Sequence, residues 1–145
     1  MEQNKEKKKG KTVGIIVGAI TFAITFYAVQ QFFKSDVASE LKTVASDFNT
    51  QGPMQLDQSL RLDSMGSIGK TNFIYYYTLL EIEKSEVNLD TVNKYVRPSL
   101  IENIKTSPEL KIYRDNKITM DYKYYDKNGA FAMEIAITPE LYKSE

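Results

Sequence analysis

Hydrophobic and polar positions divide the chain into unequal parts. Residues 12–33, TVGIIVGAITFAITFYAVQQFF, carry no charge in 22 positions. As a helix rising about 1.5 Å per residue, the run would reach roughly 33 Å, enough to cross a hydrocarbon core of about 30 Å. Gln30 and Gln31 fall near headgroup depth, and Tyr27, Phe32, Phe33 and Lys34 suit the interface there. The next part, SDVASELKTVASDFN, sets Val37, Leu41, Val44, Ala45 and Phe48 on one stripe of an amphipathic helix. Gln51-Gly52-Pro53 ends it. No Gly/Ser-rich linker separates the two apolar parts, so a continuous helix holding the outer domain close to the bilayer is expected. The stripe should pack on that domain's core, with a coiled-coil contact to a second chain as the alternative.

Beyond residue 53 the period changes. Leu60 and Leu62 alternate with Arg61 and Asp63, a strand near residues 59–64, and residues 66–70 read as a turn. NFIYYYTLLEIE, residues 72–83, is dense in aromatic and β-branched residues and gives the strongest strand signal. Residues 88–114 turn helical: Asp90 can cap a helix through Tyr95, Pro98 opens the next turns, and Ser107-Pro108-Glu109 begins a short third helix ending near Tyr113. A closing hairpin alternates Ile118, Met120, Tyr122 and Tyr124 with Thr119, Asp121, Lys123 and Tyr125. It turns at Asp126-Lys127-Asn128-Gly129 and returns over residues 130–138. The pattern predicts an α+β protein in the order α-β-β-α-α-β-β. One N-terminal transmembrane helix and an amphipathic helix precede a small antiparallel sheet with helices on one face. The predicted organisation is a Lys-rich tail over 1–11, a membrane helix over 12–33, a juxtamembrane helix over 34–52 and an extracytoplasmic domain over 53–145.

Charge sets the expected orientation. Lysines 5, 7, 8, 9 and 11 with two glutamates give residues 1–11 a net charge of +3, whereas residues 35–145 hold 13 basic and 17 acidic residues. The lysines should stay in the cytoplasm and the acidic domain should lie outside. In a bacterium with two membranes, this describes a single-pass inner-membrane protein with a periplasmic domain. A cleaved signal peptide is the competitor. Its apolar region usually spans about 7–15 residues before an A-x-A pattern. This run is longer and lacks that pattern. Within it Gly14, Gly18, Thr21, Thr25 and Ala28 share one face and include a G-x-x-x-G pair. Such a seam permits close helix packing in lipid, as a homodimer or against another membrane protein.

Composition removes most chemistry. The 145 residues contain no cysteine and no histidine, which excludes disulfides, thiol catalysis, Ser-His-Asp triads and Cys/His zinc sites. Gly66-Ser67-Ile68-Gly69-Lys70-Thr71 resembles the end of a phosphate-binding loop, but Ser64 stands where the first glycine is needed and a strand is expected to follow. Ser67 with Lys70, and Ser39 with Lys42, match S-x-x-K without its companion motifs. Asp57 with Asp63, and Asp121 with Asp126, read as solvated carboxylates outside any calcium-loop pattern. No catalytic residue, cofactor, metal, nucleic acid or small-molecule substrate is expected. Tyrosine is the distinctive residue. Tyr75, Tyr76 and Tyr77 are consecutive and Tyr122, Tyr124 and Tyr125 are close together, so some rings must face outward. Tyr75, Tyr77, Tyr122 and Tyr124 are the candidate partner face, tyrosine combining large apolar area with a polar tip. The alternative is that the outward rings pair across strands and shield the sheet.

Residues 53–62 (PMQLDQSLRL), 73–78 (FIYYYT) and 118–129 (ITMDYKYYDKNG) resemble a class of small exported or membrane-anchored bacterial domains of unassigned function. Such domains often carry a cysteine pair near the third helix and the C-terminus, where this chain has Glu109 or Leu110 and Leu141. The resemblance implies the architecture and no catalytic residues. The expectation is therefore a membrane-anchored accessory or scaffold protein, not an enzyme, whose outer domain binds another protein in a membrane complex. An immunity or inhibitor protein blocking a periplasmic toxin or enzyme is the alternative.

Overall fold

The structure, a computed structural model, describes residues 36–143. The predicted tail, the membrane helix and its seam Gly14, Gly18, Thr21, Thr25 and Ala28 lie outside the described residues. Among the described residues no helix is long and apolar enough to cross a membrane.

Helix α1 (Val37–Gln51) buries Leu41, Val44, Ala45 and Phe48, with Val37 packed at the margin, so the stripe faces the domain core as the spacing predicts. Phe48 also sets the exit from the helix. A side chain at Gly52 would start 2.9 Å from its ring, so only glycine lets the chain turn there without displacing it. Five strands follow the order β1-β2-β3-β4-β5: β1 (Met54–Gln55), β2 (Leu60–Ile68), β3 (Asn72–Leu79), β4 (Thr119–Tyr125) and β5 (Phe131–Ile137). Both hairpins, β2–β3 and β4–β5, form; the expected turn over 66–70 is corrected, because β2 continues through Gly66, Ser67 and Ile68 in pairing with β3, and the chain reverses at Gly69 and Gly129, whose φ values of 57° and 82° suit glycine.

The sheet is mixed, not antiparallel: β3 and β4 run parallel, with Tyr75 beside Tyr122 and Tyr77 beside Tyr124. The cause lies in residues 80–118. A helical connection of that length carries the chain back along one face, and β4 re-enters beside β3 in the same direction. The connection holds α2 (Leu89–Thr91), a π-helical segment (Val92–Val96), α3 (Arg97–Thr106) and α4 (Lys111–Asp115). Asn88, rather than Asp90, caps its start, accepting the Thr91 N–H at 3.0 Å. The π-helical spacing adjoins Pro98, which has no N–H to give the preceding turn, and the Arg97 N–H reaches back to the Val92 carbonyl. Arg114 donates to the carbonyls of Ile104 (2.5 Å) and Ser107 (2.7 Å), satisfying acceptors that the end of α3 leaves open. A last turn, α5 (Pro139–Tyr142), anchors the C-terminus: the buried Tyr142 hydroxyl donates to the Ile118 carbonyl at 2.6 Å.

One core joins Leu41, Phe48, Val96, Leu100, Ile104, Leu110 and Tyr113 to a single face of the sheet. That face carries Leu60, Leu62, Met65, Phe73, Tyr75, Tyr77, Leu79, Met120, Tyr122, Tyr124, Met133, Ile135 and Ile137. The predicted partner face Tyr75, Tyr77, Tyr122 and Tyr124 is thus corrected: these rings are at most 2% exposed and lie under the helices. Their same-parity neighbours are Phe73, Leu79 and Met120, whereas Thr78, Asp121 and Lys123 occupy the other parity. Burying those polar side chains unpaired would cost far more than burying a tyrosine, so the tyrosines go inward.

Candidate functional site

The face on which no described helix packs is the candidate site, and strand alternation and the strand bulges decide what it displays. Three rows cross it. Arg61 on β2 lies beside Thr78 on β3, Tyr125 on β4 and Phe131 on β5. Ser64, Tyr76, Lys123 and Glu134 form the second row, and Gly66, Ile74, Asp121 and Ala136 the third.

The first row combines a polar cluster with an aromatic pair. Arg61 Nε meets Asp63 Oδ1 at 2.5 Å, and Thr78 Oγ1 donates to Asp63 Oδ2 at 2.5 Å. Asp63 reaches both because a bulge in β2, between Leu62 and Ser64, leaves it as an extra residue. Tyr125 and Phe131 meet edge to face with centroids 5.8 Å apart, and Phe131 remains 43% exposed. In the second row the Lys123 ammonium stands 5.9 Å from the Tyr76 ring centroid. Glu134 is exposed and, among the described residues, has no ion-pair partner. The Tyr76 ring leans over Gly66, where an added Cβ would meet it at 3.6 Å. Ile74 is buried on this side, outside the main core. The result is an amphipathic surface of three aromatic rings, a lysine held over one of them and a carboxylate that has no ion-pair partner among the described residues.

The inward tyrosines are structural. Tyr75 stacks on Tyr122 at 5.1 Å and 7°, and Tyr77 on Tyr124 at 5.2 Å and 16°, because parallel pairing sets equivalent rings side by side. Burial first, and then neighbouring phenols, push the Tyr75, Tyr77, Tyr122 and Tyr124 hydroxyls well above the usual phenol range. Burial lifts Tyr113 to about 12. The Tyr77 and Tyr124 hydroxyls are buried and have no hydrogen-bond partner among the described residues.

The remaining sequence candidates have local explanations. Gly69, Lys70 and Thr71 form a turn between two strands, with no helix after it to present N–H groups to a phosphate. Asp57 Oδ1 accepts the N–H groups of Ser59 (2.6 Å) and Leu60 (3.0 Å), closing the β1–β2 turn. Asp126 holds the β4–β5 turn: its carboxylate accepts from Lys84, Asn128 and Ala130 N–H groups at 2.8–2.9 Å. The Lys84 N–H leads the causes that draw its acidity below the usual carboxylate range, followed by that of Ala130. Among the described residues no group of three or more Asp, Glu, Cys or His is placed to hold a metal. Sequence reasoning missed Tyr76, Phe131 and Glu134 as surface elements; Thr78, of the same parity as Tyr76 on β3, was the available signal there, whereas Phe131 shares the parity of the buried Met133 and lies beside Tyr125 only through the irregularity between Tyr124 and Tyr125.

Three solved structures share the fold. A protein from Pseudomonas aeruginosa described as secreted superposes with a TM-score of 0.61 at 10% identity, over 74% of this chain and 93% of that one. The type II secretion system pilotin AspS from Vibrio cholerae gives 0.52 at 12% identity, over 72% and 91%. The pilotin EpsS of the Vibrio vulnificus type 2 secretion system gives 0.55 at 9% identity, over 75% and 94%. At these identities the likeness establishes the architecture, and it accords with the sequence resemblance to small exported domains. No curated protein matches the sequence. A family model described as Domain of unknown function (DUF8479) matches residues 37–132, from α1 to the start of β5, and the chain belongs to that family.

Proposed function

We propose that this protein is a non-enzymatic accessory subunit of a cell-envelope complex, anchored by residues 12–33 and binding another protein through the uncovered sheet face. The observation that carries the reading is that face itself: Tyr76, Tyr125 and Phe131 sit among Arg61, Lys123 and Glu134 on a sheet whose described helices pack on the opposite side. Aromatic anchors with interspersed charge are the composition that protein interfaces favour. Two proteins of the same fold are pilotins of type II secretion systems, which supports an accessory role at an envelope assembly. In this reading the lysine tail is cytoplasmic, the domain is extracytoplasmic and the Gly14–Gly18 seam packs the anchor against a second helix.

The test is capture of the tagged full chain in mild detergent, beside Tyr76→Glu and Phe131→Glu variants. A companion protein retained by the wild type and lost by both folded variants is expected. Recovery of the same companions with all three, or of a lone monomer, refutes the assignment. Protease added to spheroplasts should remove the C-terminal domain; full protection would overturn the orientation.

A further inference from the structure

The two edges of the sheet are treated differently. Beyond β2 the edge is occupied: β1 pairs with Arg61 and Leu62, and the Asn49 amide of α1 bonds both backbone groups of Met65 at 2.8 Å. Beyond β5 no further strand follows among the described residues. Among the described residues β4 is its sole neighbour in the sheet, so alternate N–H and C=O groups along Phe131–Ile137 point outward. Water can satisfy these groups one by one, but another extended backbone pairs with the whole row at once. The strand contains no proline, and its single charge is Glu134.

Glu134 decides what fits. It is the middle residue of β5. Two copies pairing antiparallel over their full length would set Glu134 opposite Glu134, which is unfavourable. Lys123, its cross-strand neighbour, does not compensate it and instead faces the Tyr76 ring. On the covered side Met133 and Ile135 are buried in the core, at 4% and 1% exposure, so the centre of β5 offers a partner its backbone edge and the exposed Glu134 side chain. We infer that β5 is a strand-addition site for an extended segment of a partner protein that places Lys or Arg opposite Glu134. The inference rests on the protein-binding reading above and specifies the surface and the partner chemistry.

The experiment uses the full chain in detergent micelles with two labelled peptides, Val-Thr-Val-Lys-Val-Thr-Val and its counterpart with Glu at the centre. Binding is read by anisotropy, and backbone protection by amide hydrogen exchange. The Lys peptide should bind about fivefold more tightly, the equivalent of ~1 kcal/mol between an opposite-charge and a like-charge cross-strand pair. It should slow exchange along residues 131–137, and Glu134→Lys, an exposed substitution, should reverse the preference. Equal binding of both peptides, or unchanged exchange along β5, overturns the inference. Protection of residues 131–137 that rises with protein concentration and no peptide assigns the edge to a second copy and also overturns it. The accessory reading fails separately: a captured companion that leaves β5 exchange unchanged sinks the strand site alone, while peptide protection without any companion sinks the accessory reading alone.

Discussion

Asn49 takes the place of a strand that the sheet lacks. Its amide mimics a peptide group, donating to the Met65 carbonyl and accepting from the Met65 N–H, both at 2.8 Å. Asn49→Ala should therefore cost about 1–2 kcal/mol of stability, measured by urea unfolding, with faster exchange of the Met65 amide. The buried hydroxyls give a sharper contrast. Among the described residues Tyr77 and Tyr124 bury theirs without a partner, whereas Tyr142 donates to Ile118. Tyr77→Phe and Tyr124→Phe should leave stability unchanged or raise it, while Tyr142→Phe should lower it by about 1 kcal/mol, all by the same unfolding measurement. Alternation along YYY and YKYY was legible in the sequence, because a strand leaves each ring only two directions. The direction was read the wrong way, with Tyr75, Tyr77, Tyr122 and Tyr124 set outward, since tyrosine suits both sides. It is settled by what shares its parity: Met120 and Leu79 draw Tyr122 and Tyr77 inward, and Asp121 and Lys123 keep the other parity wet.

At the level of elements, strong local patterns translate directly. The stripe Leu41, Val44, Ala45 and Phe48 becomes the buried side of α1, and the DKNG turn closes β4 on β5. The two-residue β1 and the four-residue α5 are too short to leave a periodic trace, and the parallel pairing depends on where residues 80–118 pack, which no local window reports. The DKNG turn carries a pH response. Three N–H groups favour the charged form of Asp126, so its folded acidity lies below its unfolded value. The sign follows from linkage: the stabilisation is complete above the unfolded value of about 4 and disappears as pH falls through the folded one. Asp126→Asn should lower Tm at neutral pH. The gap between the two proteins should narrow below pH of about 4, followed by circular dichroism.

For the whole molecule, the stacked phenols predict an alkaline limit. Six of the ten tyrosines, Tyr75, Tyr77, Tyr113, Tyr122, Tyr124 and Tyr142, are raised, chiefly by burial, with Tyr113 and Tyr142 at about 12. Unfolded phenols release their protons near pH of about 10. Stability should hold below that value and fall as pH rises toward the folded values, because the unfolded chain then binds fewer protons. Tyrosinate absorbance and circular dichroism should change together above pH of about 10; ionisation of the six with the fold intact would contradict the packing.

The parallel seam between β3 and β4 also has a consequence during synthesis. Phe73, Tyr75, Tyr77 and Leu79 lie on β3, yet the strand that completes their sheet begins only at Thr119. Pairing so distant in sequence is slow to form, and until it does the nascent polypeptide carries an oily, half-finished ribbon. Any interruption of synthesis between those two strands would release a sticky fragment, a half sheet whose apolar side has nothing to close it.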